Sequence, residues 1–328
     1  MSSRAKLLRL FRVVAFSALL LLIMLTVAQS RAIADWWKLR GYKPSATVTQ
    51  LASDATMTPQ ATHLFYINHP SIDDKKIFAK ACPSGGEKTI VLGCYKGNQR
   101  GIYLLSVTDD RLHGVEQVTA AHEMLHSGYE RLSKGDKEEV DSLLQNFYQH
   151  DLRDQRIKDV LKSYEKSEPG EQLNEMHSIF GTEIAKLPGP LEAYYKRYFS
   201  NRIKVAAYAE RYQGVFTTRQ ETIKKDDAQL AAWKKQINAN EATLKVQQSD
   251  LERLQAHMTE VKKSGDAGGY NALVPSYNSQ VEAFNELLGQ AKALIIKYNQ
   301  LVEARNALAV EAQGLEKALS GSLTPIGQ

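Results

Sequence analysis

VTAAHEMLHSGYERL, residues 118–132, is the stretch on which the reading of this chain turns. Val115, Val118, His122, Leu125, Tyr129 and Leu132 recur at steps of three or four residues, the period of an amphipathic helix. Positions i and i+4 share a helix face, so His122 and His126 can each offer a ring nitrogen to one tetrahedral Zn2+. Glu123 then points toward the open coordination position, where it can take a proton from a zinc-activated water attacking a peptide carbonyl. Ala120, Ala121, Met124 and Leu125 supply the small and apolar groups that a core-packed helix needs around such a motif. The competing reading is two exposed or satisfied histidines on an ordinary amphipathic helix.

Upstream, residues 38–112 contain three β-like runs: HLFYIN at 63–68, TIVLGCY at 89–95 and IYLLSV at 102–107. The last two are separated by KGNQRG and read as a hairpin, so a small sheet precedes the motif helix. Downstream, residues 133–170 are charge-rich and helical until Pro169-Gly170 breaks them, and a further helix begins near Glu171. Leu191, Tyr194, Tyr195 and Tyr198 mark another helix after Pro190.

The motif resembles that of the zincin metallopeptidases, with His122, Glu123 and His126 in its places. Metzincins continue it with a glycine and a third histidine, where this chain has Tyr129 and Leu132. In the gluzincin branch the third ligand is a glutamate on a later helix, and Asn174-Glu175-Met176-His177-Ser178 is similar to that segment in part. The resemblance therefore implies Glu175 as third ligand, with His177 and Glu183 as rivals of permitted ligand type. Glu175 and His177 lie about 200° apart on a helix and are not expected to share one metal. Glu183 could instead orient a histidine from behind. Gluzincins often carry an aspartate four residues after the glutamate; here that place holds Ile179. By analogy with the family, the IYLLSV strand is expected to offer an edge to an extended peptide substrate.

Beyond residue 205 apolar residues recur every seven positions, at Ile223, Leu230, Ile237, Leu244, Leu251 and Met258, the seam of a coiled coil. KKSGDAGG at 262–269 interrupts it, and a second heptad row follows at Leu287, Leu294, Leu301, Leu308 and Leu315. Two arms joined by a short turn fold back as an antiparallel hairpin, about 80 Å long from the rise per residue. Pro275 obscures where the second arm starts.

At the other end, Arg4, Lys6, Arg9 and Arg12 precede an uncharged apolar run from Val13 to Ala28. This is the pattern of a membrane anchor or a signal peptide: Trp36 and Trp37 suit the interface beside an anchor, and Ala32-Ile33-Ala34 suits a cleavage site. Both readings put the rest of the chain outside the cytoplasm, attached to the membrane or, after cleavage, secreted. There a disulfide persists, and Cys82 and Cys94, the two cysteines of the chain, are expected to pair. The 42 basic and 37 acidic residues are interspersed, which argues against a nucleic-acid partner.

The expected architecture is an N-terminal transmembrane or signal helix (1–34), an α+β zincin-like domain of small sheet and active-site helices (35–205), an antiparallel helical coiled-coil hairpin (206–320, turning near 262–270) and a flexible tail (321–328). The expected function is hydrolysis of a protein or peptide substrate with one Zn2+ per chain. A coiled-coil partner or self-association would position the enzyme. The alternative is an envelope scaffold acting through the coiled coil, its zincin domain degenerate.

Overall fold

The structure is a computed structural model and describes residues 29–83, 92–167 and 170–319, with Phe11 and Phe16 besides. Most of the N-terminal basic and apolar segment, the start of the TIVLGCY run, Pro169 and the tail 321–328 lie outside the described residues, and with them the anchor-or-signal expectation. Among the described residues, no helix is long and apolar enough to cross a membrane. The chain divides into two compact units. The first runs to Tyr212 and takes in Ala318 and Leu319; the second is Gln213–Lys317.

The first unit opens with three short helices, α1 (Ser30–Leu39), α2 (Ala46–Asp54) and α3 (Pro59–Tyr66). Polar caps set two of the starts. Ser45 accepts from the Val48 N–H, and Thr58 accepts from the Ala61 N–H with Pro59 at the first helical position; each cap contributes about 1 kcal/mol. Helix α3 corrects the strand expected at HLFYIN. A short apolar run carries no period that separates strand from helix, and here the Thr58 cap and the burial of Ala61, Leu64 and Phe65 on one side decide for helix.

Three strands follow: β1 (Ser71–Asp73), then, after helix α4 (Lys75–Ala81), β2 (Gly93–Lys96) and β3 (Gly101–Leu105). They form one sheet in the order β1-β3-β2, with β1 parallel and β2 antiparallel to β3. The β2–β3 hairpin of the sequence reading is present. Its turn holds Asn98 and Gln99 at φ 62° and 56°, and Gln99 is pinned there by its own side chain. That side chain donates to Tyr95 Oη (2.8 Å) and accepts from Asn68 Nδ2 (3.0 Å) and Ser127 Oγ (2.6 Å). Strand β3 is central, which corrects the expectation that IYLLSV offers a free edge: Ile72 of β1 lies opposite Leu104 and occupies that side. A three-residue parallel strand leaves no periodic trace in the sequence.

Cys82, just past α4, is bonded to Cys94 of β2, with their Cα atoms 6.0 Å apart. The bridge closes a short loop and holds β2 against its neighbours. Cys94→Ser is expected to cost about 2–4 kcal/mol, read from the shift of the urea unfolding midpoint against the oxidised wild type.

Helices then predominate: α5 (Val115–Glu130), α6 (Lys134–Asn146), a π-helical turn (Phe147–Asp151), α7 (Gln155–Ser167), α8 (Gln172–Glu183) and α9 (Gly189–Tyr195). The motif helix α5 is the centre of the unit. Ala120, Ala121, Met124 and Leu125 are fully buried, and the helix contacts β2, β3, α2, α3 and α8. Helix α8 approaches closely because Gly181 has no side chain; a Cβ there would fall 2.5 Å from Leu125 Cδ1.

Asp35 fastens α1 to this core. Arg131, just beyond α5, donates to both its carboxylate oxygens (3.0 and 2.8 Å), and His63 Nε2 lies 3.0 Å away. Burial pushes the Asp35 carboxyl up, but Arg131 and His63 together outweigh it and hold it below the ordinary 3.8. A depressed carboxyl stabilises the fold above its unfolded value and loses that contribution as pH falls through the folded one. Asp35→Asn is therefore expected to flatten the fall in stability below about pH 4, measured as urea midpoints across the acid range.

The second unit is formed by most of two long helices, α10 (Arg202–Lys263) and α11 (Ala267–Leu319). Gly265, at φ 81°, lies in the turn between them. The arms run antiparallel: Arg219 donates to Glu311 (2.7 Å) and Arg305 to Asp227 (2.9 Å). Pro275 lies inside α11, so the second arm starts ahead of it. Met258 and Ala291 are buried, whereas Val246, Ile295, Ile296 and Val310 are exposed.

Candidate metal centre

Two helices build the site. Helix α5 carries His122 and His126 one turn apart, their ring centroids 4.7 Å from each other, and α8 presents Glu175 to both. His122 Nε2 lies 3.6 Å from Glu175 Oε2, and His126 Nε2 lies 3.5 Å from Glu175 Oε1. Tetrahedral zinc held at ~2.0–2.1 Å by each donor keeps its donors roughly 3.3–3.4 Å apart, so the spacing fits. Among the described residues this is the one group of three or more His, Cys, Asp or Glu side chains gathered closely enough to hold an ion.

The chemistry of the donors agrees with the spacing. Glu175 is buried, and its Oε2 has no hydrogen-bond partner, a costly state unless something else satisfies it. Burial pushes its carboxyl up, but His126 and His122 outweigh that and hold it below the ordinary range. His126 Nδ1 donates to Asn174 Oδ1 (2.9 Å), with Ser178 Oγ 3.2 Å from the same nitrogen. An amide oxygen can only accept, so a proton sits on Nδ1, and Nε2 is the nitrogen turned toward Glu175. Asn174 is itself held by its donation to Glu171 Oε2 (3.0 Å).

Comparison with protein-family models, curated proteins and solved structures returns no match for this chain.

Glu123 is buried and tucked under the sheet. A Cβ on Gly93 of β2 would fall 2.5 Å from Thr119 Cγ2 and 2.9 Å from Glu123 Cγ and Oε1; only glycine lets β2 lie this close. The Tyr95 backbone N–H donates to the Glu123 carboxylate. Burial above all pushes that carboxyl up to about 7; His126 and the Tyr95 N–H pull it down, and Glu175 adds to the rise.

The two rival ligands lie elsewhere. His177, about 200° around α8 from Glu175, is fully buried among Tyr129, Tyr194, Tyr195 and Tyr198, with ring centroids 5.2 to 5.8 Å away. Its Nε2 is 2.9 Å from Tyr194 Oη, and burial, with the nearby cationic groups, holds it well below its ordinary pKa. It is a neutral core histidine. Glu183, the last residue of α8, pairs with Arg156 at 2.9 Å.

Sequence reasoning missed the parts assigned here to Asn174, Ser178 and Gly93. Ile179 is buried at the place that often holds an aspartate in gluzincins; Asn174 hydrogen-bonds the histidine here. Groups that fix a ligand's tautomer usually matter 10–100-fold to metal affinity, so Asn174→Ala is expected to weaken zinc binding by about that factor. Competition with a chromophoric chelator reads it directly.

Proposed function

We propose that this chain is a zinc-dependent metallopeptidase of zincin type, acting outside the cytoplasm on protein or peptide substrates. The observation that carries the reading is the convergence of His122, His126 and Glu175 with donor spacing that fits zinc, one residue along the helix from the buried Glu123. Bound there, zinc supplies Lewis acidity: it lowers the pKa of water and polarises a substrate carbonyl.

The chain's own groups do the rest. Asn174 keeps the His126 proton on Nδ1. Glu123 is the carboxylate next to the first histidine, and it accepts the proton of the attacking water and returns it to the leaving amine. The Tyr95 N–H and the closeness of Gly93 hold it in one position, which is what a proton-transfer group needs to act in a single step.

The reading is tested by incubating the purified full chain with a quenched-fluorescence peptide library, before and after a zinc chelator. Cleavage that stops with chelation and returns with added zinc supports it. Cleavage insensitive to chelator, or no cleavage by a chain that holds zinc, opposes it.

One observation favours a second reading, an envelope scaffold. The hairpin leaves Val246, Ile295, Ile296 and Val310 exposed, apolar surface of the sort that seats a partner helix. A scaffold of this kind would keep its binding partners when Glu123 is replaced, and no peptide bond would depend on that residue.

A further inference from the structure

Helix α1 is turned inside out relative to an ordinary surface helix. At 100° per residue, Arg31, Asp35, Lys38 and Leu39 fall within an arc of about 100°, and Ile33, Trp36, Trp37 and Arg40 fall within a similar arc on roughly the opposite side. The first set faces the protein: Arg31 Nη1 donates to the Arg131 carbonyl, Lys38 to the Gln99 carbonyl, and Asp35 is held by Arg131 and His63. The second set faces away, with Ile33, Trp36 and Trp37 being 43%, 56% and 61% exposed. Asp35 and Lys38 are turned inward and the two indoles outward.

We propose that this outward face of α1 lies in the plane of a phospholipid bilayer, with Ile33, Trp36 and Trp37 at the boundary between headgroups and acyl chains. The sequence argues for lipid as the occupant. The uncharged run Val13–Ala28 ends two residues before α1 begins, and a tryptophan pair beside such a run is the chemistry of the interface. Helix α1 itself spans about 15 Å, half a hydrocarbon core, so it cannot cross. Indoles favour the interface because the ring is apolar and its N–H still needs a partner. The Arg40 guanidinium stands 5.2 and 5.4 Å from the two indole centroids, a cation on the same outward face that can pair with lipid phosphates.

The polar face gives this docking its consequence. Asp35 ties α1 to Arg131, one residue beyond the helix that carries His122 and His126. A lipid-bound α1 thereby fixes the orientation of the metal-bearing unit to the membrane surface. Docking of α1 on lipid requires neither zinc nor catalysis.

The test uses the full chain with Trp233→Phe, which leaves Trp36 and Trp37 as its tryptophans, reconstituted in phosphatidylcholine vesicles. The lipids carry bromine either near the glycerol end of the acyl chains or near their tips. Shallow bromine is expected to lower the emission about twofold or more, and deep bromine clearly less, as for an interfacial helix. The double variant Trp36→Phe/Trp37→Phe, reporting Trp233 alone, is expected to show no such depth dependence. Equal or stronger quenching by deep bromine would overturn the proposal in favour of a span that continues through α1. Unquenched emission at the wavelength of hydrated indole, or unquenched blue-shifted emission from a chain that dimerises, would overturn it as well, the latter assigning the face to a second copy.

Discussion

Glu123→Gln is expected to lower peptide hydrolysis by roughly 10²–10⁴, the usual contribution of a positioned general base, while leaving zinc content unchanged. The substitution isolates the proton transfer. Glutamine keeps the shape that fits beneath Gly93 and beside Thr119, and its amide oxygen still accepts from the Tyr95 N–H. It removes a buried carboxylate, so folding is not expected to suffer. Steady-state turnover and zinc analysis on the same preparation separate the two effects. Turnover within a factor of two of wild type would deny Glu123 its role and favour the scaffold; joint loss of zinc and activity would show that the residue supports the metal instead.

Arg202→Ala is expected to be the most damaging single change to stability outside the apolar core, at about 3–5 kcal/mol. The guanidinium is nearly inaccessible, with 2% of its side chain exposed. It donates through Nε and Nη2 to Glu192 Oε2 (2.9 and 2.6 Å) and caps the end of α8 by donating to the carbonyls of Phe180, Ile184 and Ala185. Alanine leaves those carbonyls without their partner, and buried groups stripped in this way carry their full desolvation cost, while the Glu192 carboxylate, a third exposed, turns to water. Lysine retains the charge but lacks the fork, so Arg202→Lys is expected to recover only part of the loss. Urea unfolding of the three chains measures it, and a loss below about 1 kcal/mol for alanine would contradict the reading. Because Glu175 sits on the same helix, the alanine chain is also expected to bind zinc more weakly.

What could be read from the sequence was whatever is written locally. The spacing of His122 and His126, the apolar period around them and the heptads after residue 205 each fall within a single helix, and each appears where expected. Glu175 was reachable because a resemblance pointed to its helix; its choice over His177 became a physical matter only when the tyrosine cage around His177 was in view. The short helices α1 to α4 were not legible, since helices of seven to ten residues carry too few turns for period to outweigh an apolar, β-like composition. Side-chain caps at Ser45, Thr58 and Asp74 start three of them. Sheet order was beyond local reading for another reason. That β1 covers β3 is a contact between residues about 32 apart in sequence, and three residues leave no alternation to betray it. Gly93 is the same kind of case: its significance lies in what a side chain would strike.

The central claim is that His122, His126 and Glu175 together form a zinc centre. It is tested most directly by the zinc content of the purified full chain, compared for wild type, His126→Ala, Glu175→Gln and Glu183→Gln. The prediction is one zinc per chain in wild type and Glu183→Gln, with the metal lost in His126→Ala and lost or greatly weakened in Glu175→Gln. A wild-type chain that binds no zinc, or a content that follows Glu183 and ignores Glu175, would contradict it.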